Sequence, residues 1–311
     1  MSESRFTSRM QAVSIPCRDS VILRGHIWPT GRARIGTVIV NPATGVCARY
    51  YHYYAAFLAE HGFDTLTYDY RGIGQSRPAT LRGCGYRWRD WGELDFDAAL
   101  RFARARAPGD SLFVVGHSFG GFLPGLSERG SDIHRMLTVG AQYAYWRDYL
   151  PRHRGRLFLK WHVVMPAVTA LCGYFPGRRL GWLEDLPVGV ANEWSFQGAR
   201  WEMNYPHDQT EDVLRRFAKV TAPILAVGLS DDELGTVEAI ARALAYYRGA
   251  SPTQVVLTPD QLGYSAIGHF GLFHSRHASS FWLDTVLWLR DGVNPWPDQA
   301  VSLISNTEGA P

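Results

Sequence analysis

Cysteine is scarce in this sequence of 311 residues, which contains four, at Cys17, Cys47, Cys84 and Cys172. They form no Cys-x-x-Cys pair and have no His/Cys spacing typical of zinc ligands. Both a disulfide scaffold and a structural zinc site are therefore disfavoured, and the pattern fits a reducing compartment. We expect neither a metal nor an organic cofactor.

An excess of one charge and a long apolar run are missing as well. The 32 basic and 29 acidic residues are mixed along the chain and leave a net charge of +3, which predicts no nucleic-acid partner. The N-terminus has no apolar segment of the kind that secretory signals carry, so we expect a cytoplasmic protein. The most apolar stretch, 158–175, is interrupted by Lys160, His162, Pro166 and Gly173. It predicts no membrane span, although contact with a lipid surface stays open.

Short apolar or β-branched runs alternate with helical patterns on both sides of an irregular middle segment. This alternation predicts an α/β fold with one mostly parallel, doubly wound sheet. The predicted strands are 21–28, 37–41, 63–69, 112–115, 136–139, 222–228 and 253–257, and the predicted helices are 50–61, 91–105, 119–127, 237–247 and 279–289.

The middle segment contains helical patches and many aromatic residues but no strand pattern. We interpret it as an insertion on the sheet rather than a separate domain. The predicted organisation is a core in two parts, 1–141 and 215–293, a helical, aromatic-rich lid at 142–214, and an irregular C-terminal tail at 294–311.

The sequence Gly-His-Ser-Phe-Gly at 116–120 follows a predicted strand and precedes a predicted helix. In this context Gly-x-Ser-x-Gly indicates a nucleophile elbow, a tight turn that exposes a serine hydroxyl and leaves no room for flanking side chains. We predict Ser118 as the nucleophile, with the backbone N–H of Phe119 as an oxyanion-hole donor. The alternative is a glycine-rich turn with an incidental serine.

A serine hydroxyl needs a general base, and that base needs an orienting carboxylate. The predicted base is His269, which follows the last predicted strand and has glycines on both sides. His274 and His277 lie nearer the final helix, where a surface or capping role suits them better.

Two adjacent aspartates, Asp231 and Asp232, follow the predicted strand 222–228, and only one of them can point at the histidine. We favour Asp232 because the chain turns into a predicted helix a few residues later. Asp231 stays the alternate, and Glu233 is a more distant third candidate.

These motifs resemble those of the α/β-hydrolase superfamily over most of the chain. The run Tyr-Asp-Tyr-Arg-Gly-Ile-Gly-Gln-Ser at 68–76 is similar to a stretch that follows the fourth strand in many members. Together with Pro-Ala-Thr-Gly, Gly-His-Ser-Phe-Gly-Gly and Ile-Gly-His-Phe-Gly, it resembles bacterial predicted α/β hydrolases that are esterase- and lipase-like and related to the monoglyceride-lipase branch. The resemblance implies the α/β-hydrolase fold, a Ser-His-Asp triad, and structural roles for Asp69 and Arg71.

The loop after the predicted strand 37–41 places Thr44 where this fold supplies its second oxyanion-hole donor. The His-Gly dipeptide that is common before this donor is replaced by Pro42 and Ala43. The lid supplies aromatic side chains that favour an apolar acyl pocket. The predicted substrate contacts are Tyr143, Trp146, Trp194 and Trp201.

The leading functional hypothesis is hydrolysis of a small-molecule carboxylic ester or thioester through an acyl-enzyme on Ser118. An acyltransferase with the same triad and an amide-cleaving enzyme are alternatives. A ligand-binding protein that only shares the fold is a third possibility, because fold alone does not fix function. The sequence favours no particular oligomeric state.

Overall fold

Within residues 10–302, which the computed structural model describes, nine strands form one mixed sheet. The strands are β1 (Gln11–Pro16), β2 (Ile22–Trp28), β3 (Gly36–Asn41), β4 (Phe63–Tyr68), β5 (Leu112–His117), β6 (Ile133–Val139), β7 (Ile224–Leu229), β8 (Pro252–Leu257) and β9 (Ala300–Val301). Their order is β1-β2-β4-β3-β5-β6-β7-β8-β9. The neighbours from β4 to β8 run parallel, whereas β1, β2 and β9 pair antiparallel. The predicted mostly parallel sheet is confirmed.

Helices cover both faces of this sheet, as the doubly wound arrangement requires. The α-helices are α1 (His52–Glu60), α2 (Asp97–Arg106), α3 (Arg154–Phe158), α4 (Met165–Cys172), α5 (Gly177–Leu180), α6 (Val188–Ser195), α7 (Thr210–Ala218), α8 (Val237–Leu244) and α9 (Phe281–Asp291). Two π-helical segments, Trp91–Phe96 and Leu159–Val164, lead into α2 and α4. Side chains of α2 and α8 belong to the apolar core on one face, and those of α1 and α9 to the core on the other. No helix in the described part of the chain is both long and apolar enough to cross a membrane.

Successive residues of the central strands face opposite sides of the sheet. In β3, Val38 and Val40 lie in one apolar core and Ile39 lies in the other, and Val115 and Val114 of β5 repeat this division. Both faces are buried, which explains why these strands read as continuous apolar runs rather than as an alternating pattern.

The predicted helix 119–127 is wrong in type. Two short 3₁₀ turns, Ser118–Gly121 and Leu123–Leu126, replace it. Pro124 lacks the N–H that a continuing helix would use. Gly125 also lies so close to Phe217 that an added Cβ would stand 1.9 Å from the ring, so the chain is held tightly against its neighbours here.

The insertion between β6 and β7 contributes no strand to the central sheet within the described residues. It contains α3 to α7, and an isolated bridge between Phe175 and Leu186 joins two of its loops. At the end of the chain, the tail predicted as irregular contains a 3₁₀ turn, Pro297–Gln299, and the two-residue strand β9, which pairs with β8. Residues 303–311 of that tail lie outside the described part.

Candidate active site

Ser118 stands at the carboxyl end of β5 in a left-handed backbone conformation, with φ of +54°. Glycines make this turn possible. A Cβ on Gly116 would lie 2.4 Å from the Cα of Gly121, and a Cβ on Gly120 would lie 2.3 Å from the carbonyl oxygen of Asn41. Left-handed backbone is unfavourable for a residue with a side chain, so the surrounding contacts must hold the serine in place. This is the geometry expected of a nucleophile elbow.

His269 and Asp232 form a buried hydrogen bond of 2.7 Å between Nδ1 and Oδ2. The other carboxylate oxygen of Asp232 accepts from the backbone N–H groups of Leu234 and Gly235, each at 2.8 Å. Burial alone would raise the pKa of Asp232, but His269 and the two N–H groups outweigh it and hold the pKa below its ordinary value. An ionised Asp232 keeps the proton of a neutral His269 on Nδ1, which leaves Nε2 as a base.

The neighbouring carboxylate of Asp231 makes different contacts. Its Oδ2 accepts from the backbone N–H groups of Ile267 and Gly268 at 2.8 and 3.0 Å. Asp231 therefore braces the loop that carries His269, while Asp232 contacts the imidazole itself. Of the two candidate acids, the structure brings Asp232 to the histidine.

Ser118 and His269 both line a cavity of about 110 Å³. The Ser118 hydroxyl accepts a hydrogen bond from the side-chain amide of Gln142 at 3.3 Å. Gln142, which follows β6 at the carboxyl edge of the sheet, was not among the predicted site residues. That edge is where parallel α/β sheets carry their ligand sites, and it was the one signal available for this residue.

Of the two predicted oxyanion-hole donors, Thr44 lines the same cavity as Ser118, and Phe119 directly follows the serine in the chain. Thr44 lines the cavity, and its hydroxyl oxygen accepts from Trp88 Nε1 at 3.0 Å. The Trp88 ring also stacks on Phe119, with 3.7 Å between centroids. One indole thus connects the two loops, and Asn41 adds a hydrogen bond of 3.1 Å from its amide to the carbonyl of Gly120.

Of the four predicted substrate contacts, Trp194 lines the cavity. The other three are not among its lining residues in the described part of the chain. Tyr143 donates its hydroxyl proton to the carbonyl of Ala199, Trp146 packs against Phe158, and Trp201 is completely buried. Tyr143 and Trp201 pack against the core ring of Phe122, whereas Trp146 packs within the insertion.

Aromatic residues other than the predicted set complete the cavity wall. Trp161 stacks on Trp194 at 4.7 Å, and Trp182 meets Trp161 edge to face at 5.6 Å. Such rings were predicted from the insertion, whereas Trp88 comes from the segment before α2 and Phe270 comes from the histidine loop.

A buried histidine links the loops around the site. His117 Nδ1 lies 2.7 Å from the hydroxyl of Tyr51, and its Nε2 lies 2.8 Å from the carbonyl oxygen of His269. The Tyr51 oxygen also accepts from the backbone N–H of Ala43, which immediately precedes Thr44. Burial, together with the nearby His269, lowers the pKa of His117 to about 3. His117 is therefore neutral, accepts from Tyr51 and donates to the His269 carbonyl.

Asp69 and Arg71 are buried and are not among the residues that line the cavity. Asp69 accepts from the backbone N–H of Ala48 at 2.7 Å. Arg71 forms ion pairs of 2.6 Å with Asp95 and with Asp19. These contacts agree with the structural roles that the family resemblance implies.

The remaining histidines of this loop do not line the cavity. His274 is exposed, but His277 is completely buried and packs against Tyr264, so its predicted surface role is wrong. Across residues 10–302, no group of three or more His, Cys, Asp or Glu side chains could hold a metal ion.

Residues 33–170 match the family model of the serine aminopeptidases of the S33 type. No curated protein matches the chain at a significant level. An esterase of Pyrococcus furiosus is similar in structure, with 16% identity over 92% of both chains and a TM-score of 0.55. A carboxyl esterase of Bacillus coagulans shares 14% identity over 91% of this chain and 98% of its own, with a TM-score of 0.56.

An α/β hydrolase from Penicillium gives the same result, with 16% identity over 91% of this chain and 99% of its own, and a TM-score of 0.55. At these identities the likeness establishes the fold and leaves the substrate open. With the mostly parallel sheet and the elbow at the end of β5, the chain has the α/β-hydrolase fold, and its residues 33–170 are similar to the S33 serine aminopeptidase family.

Proposed function

We propose that this protein is a serine hydrolase that cleaves a small-molecule carboxylic ester or thioester with an apolar acyl group. The observation that carries the proposal is the 2.7 Å hydrogen bond between Asp232 and His269, beside a serine held in left-handed backbone. A buried carboxylate–imidazole pair that shares a cavity with a serine on a nucleophile elbow is the arrangement that activates a hydroxyl nucleophile.

In the proposed reaction, Ser118 Oγ attacks the acyl carbon while His269 Nε2 takes the hydroxyl proton. The tetrahedral intermediate then collapses, and the departing alcohol or thiol receives that proton from His269. The acyl group stays on Ser118. Water attacks it next, gives a proton to His269, and the carboxylic acid leaves as Oγ is reprotonated.

The negative charge of each tetrahedral intermediate falls on the former carbonyl oxygen. We assign its stabilisation to the backbone N–H groups of Thr44 and Phe119. Within residues 10–302, no acceptor is hydrogen-bonded to the N–H of Thr44, so this donor is available to a ligand. Loss of one such donor typically costs about 10²–10³ in rate.

We assign the insertion, 142–214, the role of a lid. Its rings at Trp161, Trp182 and Trp194 line the cavity over Ser118. An aromatic wall removes water from the reacting centre and suits an apolar acyl group.

Amide cleavage is a second candidate, favoured by the match of residues 33–170 to a serine aminopeptidase model. It uses the same nucleophile, base and acid, and differs in the leaving group, which is then an amine.

The test is a set of p-nitrophenyl esters of increasing acyl length and a set of amino-acid p-nitroanilides, given to wild type and Ser118→Ala. We expect ester hydrolysis that Ser118→Ala abolishes. Equal hydrolysis by both proteins would overturn the proposal, and Ser118-dependent cleavage of the anilides alone would establish the second candidate instead.

A further inference from the structure

One positively charged side chain lines the cavity that contains the proposed catalytic groups. Lys160, in the π-helical segment before α4, lines the same cavity as Ser118 and His269. Its Nζ lies 4.3 Å from the ring centroid of Trp161 and 4.4 Å from that of Trp182. Two indole faces therefore hold the ammonium group at the cavity, because the negative face of an aromatic ring attracts a cation.

The only carboxylate near this ammonium group among the described cavity-lining residues is already paired. Glu233 also lines the cavity, but its Oε2 forms an ion pair of 2.6 Å with Arg156. Within residues 10–302, no carboxylate lies within 4.0 Å of Lys160 Nζ. Among the described residues, Lys160 thus has no carboxylate in direct contact, and the one carboxylate of the cavity wall is shared with Arg156.

The energetics of Lys160 agree with this geometry. Partial burial and the nearby Arg156 lower the pKa of Lys160, and Glu233 offsets this only in part. A bound anion would supply the missing counter-charge. The other lysine of the sequence, Lys219, contrasts with it, because it forms an ion pair of 2.9 Å with Glu128 outside the cavity.

We propose that Lys160 selects substrates that carry a carboxylate at a distance from the scissile carbonyl. This inference rests on the proposed ester hydrolysis at Ser118. The apolar part of the substrate contacts the indole rings, and the carboxylate pairs with Lys160 Nζ. The substrate class is therefore a half-ester of a dicarboxylic acid, or an ester whose alcohol part bears a carboxylate.

The test compares matched esters that differ in one carboxylate. In the first series, the mono-p-nitrophenyl esters of adipic, pimelic and suberic acid are each paired with the neutral ester of equal chain length. In the second series, the hexanoyl ester of 4-hydroxybenzoate is paired with phenyl hexanoate. The readout is the ratio of kcat/KM for the charged ester to kcat/KM for the neutral ester. This ratio is independent of the fraction of each variant that is correctly folded.

We expect Lys160→Met to lower this ratio by about 10- to 100-fold in at least one series, since a hydrogen bond to a charged group is lost. Lys160→Arg keeps the charge and should retain most of the preference. Lys219→Met, the matched control, should leave the ratio at the wild-type value.

An unchanged ratio for Lys160→Met in both series, with Ser118-dependent hydrolysis of the neutral esters intact, would overturn this inference and leave the proposed function standing. If no ester in either series is hydrolysed in a Ser118-dependent way, the proposed function itself fails, and the inference fails with it.

Discussion

The side-chain amide of Gln142 donates a hydrogen bond to the hydroxyl oxygen of Ser118 at 3.3 Å. The carbonyl end of the same amide accepts from the backbone N–H of Ala144, which fixes the NH₂ end toward the serine. Ala144 has a left-handed backbone, with φ of +64°, so the chain bends sharply to make this contact. In the proposed reaction, negative charge develops on the Ser118 oxygen as its bond to the acyl carbon breaks, and a fixed donor at that atom would stabilise this charge.

Replacing Gln142 tests whether the amide contributes to catalysis. We expect Gln142→Leu to lower kcat/KM for a p-nitrophenyl ester by about 10- to 100-fold, as for the loss of one preorganised donor. Gln142→Glu has the same shape but offers only acceptors when ionised, so its loss should be larger. Steady-state kinetics on both variants, with circular dichroism to establish folding, decides this. An unchanged kcat/KM in Gln142→Leu would show that the amide does not contribute to catalysis.

Mutation of the two adjacent aspartates should have different effects on kcat and on stability. Asp232→Asn removes the acceptor that orients His269, and we expect a loss of about 10³- to 10⁴-fold in kcat. Asp231→Asn keeps an oxygen that can accept from the loop N–H groups, so we expect a loss of less than about 10-fold and a stability loss of about 1 kcal/mol. Kinetics and urea unfolding of both variants measure these effects. The reverse ranking in kcat would make Asp231 the triad acid.

The depressed pKa of Asp232 also predicts how stability depends on pH. The folded state binds the Asp232 proton more weakly than the unfolded chain does, where the pKa is about 3.9. The resulting stabilisation is fully present above that value and is lost as the pH falls through the lower folded pKa.

Urea unfolding of wild type and Asp232→Asn between about pH 7 and pH 2.5 measures this contribution. The difference in free energy of unfolding between the two proteins should be constant near neutral pH. In acid, wild type should lose stability relative to Asp232→Asn. A difference that does not vary with pH would mean that the carboxylate titrates alike in both states.

The hydroxyl of Tyr51 joins two loops of the site, since it binds both the Ala43 N–H and His117. Tyr51→Phe leaves both buried groups without this partner, which should cost about 1–3 kcal/mol of stability. We also expect kcat to fall several-fold, because Ala43 precedes Thr44, the proposed oxyanion-hole donor, and His117 contacts the His269 carbonyl.

Tyr54→Phe is the matched control for this prediction. Tyr54 is also fully buried, and its hydroxyl lies 2.7 Å from Thr285 in α9, outside the cavity lining. It should lose stability with little change in kcat. Equal losses of kcat in the two variants would show that Tyr51 acts through general stability alone.

The parts of the fold that could be predicted from the sequence are those in which local pattern and burial agree. Central strands such as β5 and β7 are buried on both faces, and their apolar runs mark them clearly. β1 was missed because it is an edge strand whose residues are mostly exposed, so its sequence Gln-Ala-Val-Ser-Ile-Pro carries little apolar signal. β9 consists of two residues and is too short for any periodicity.

The site followed the same division. Ser118, His269 and Asp232 lie in short motifs whose glycines and chain order mark them. Gln142 and Trp88 belong to no motif, and only tertiary folding brings Gln142 to the serine and Trp88 to the cavity wall. Tyr143, Trp146 and Trp201 were predicted as substrate contacts but do not line the cavity. Composition indicates that aromatic rings are present, but it does not indicate which way each ring faces.

The left-handed backbone of Ser118 serves the proposed chemistry but lowers the stability of the fold. A side chain in that conformation typically costs about 1–3 kcal/mol, a penalty that glycine avoids. Ser118→Gly should therefore have a higher free energy of unfolding than Ser118→Ala, because alanine keeps the Cβ. A descendant of this chain that is not selected for activity would keep its fold after losing the proposed nucleophile in this way. We therefore expect that relatives with glycine at position 118 fold stably and are inactive.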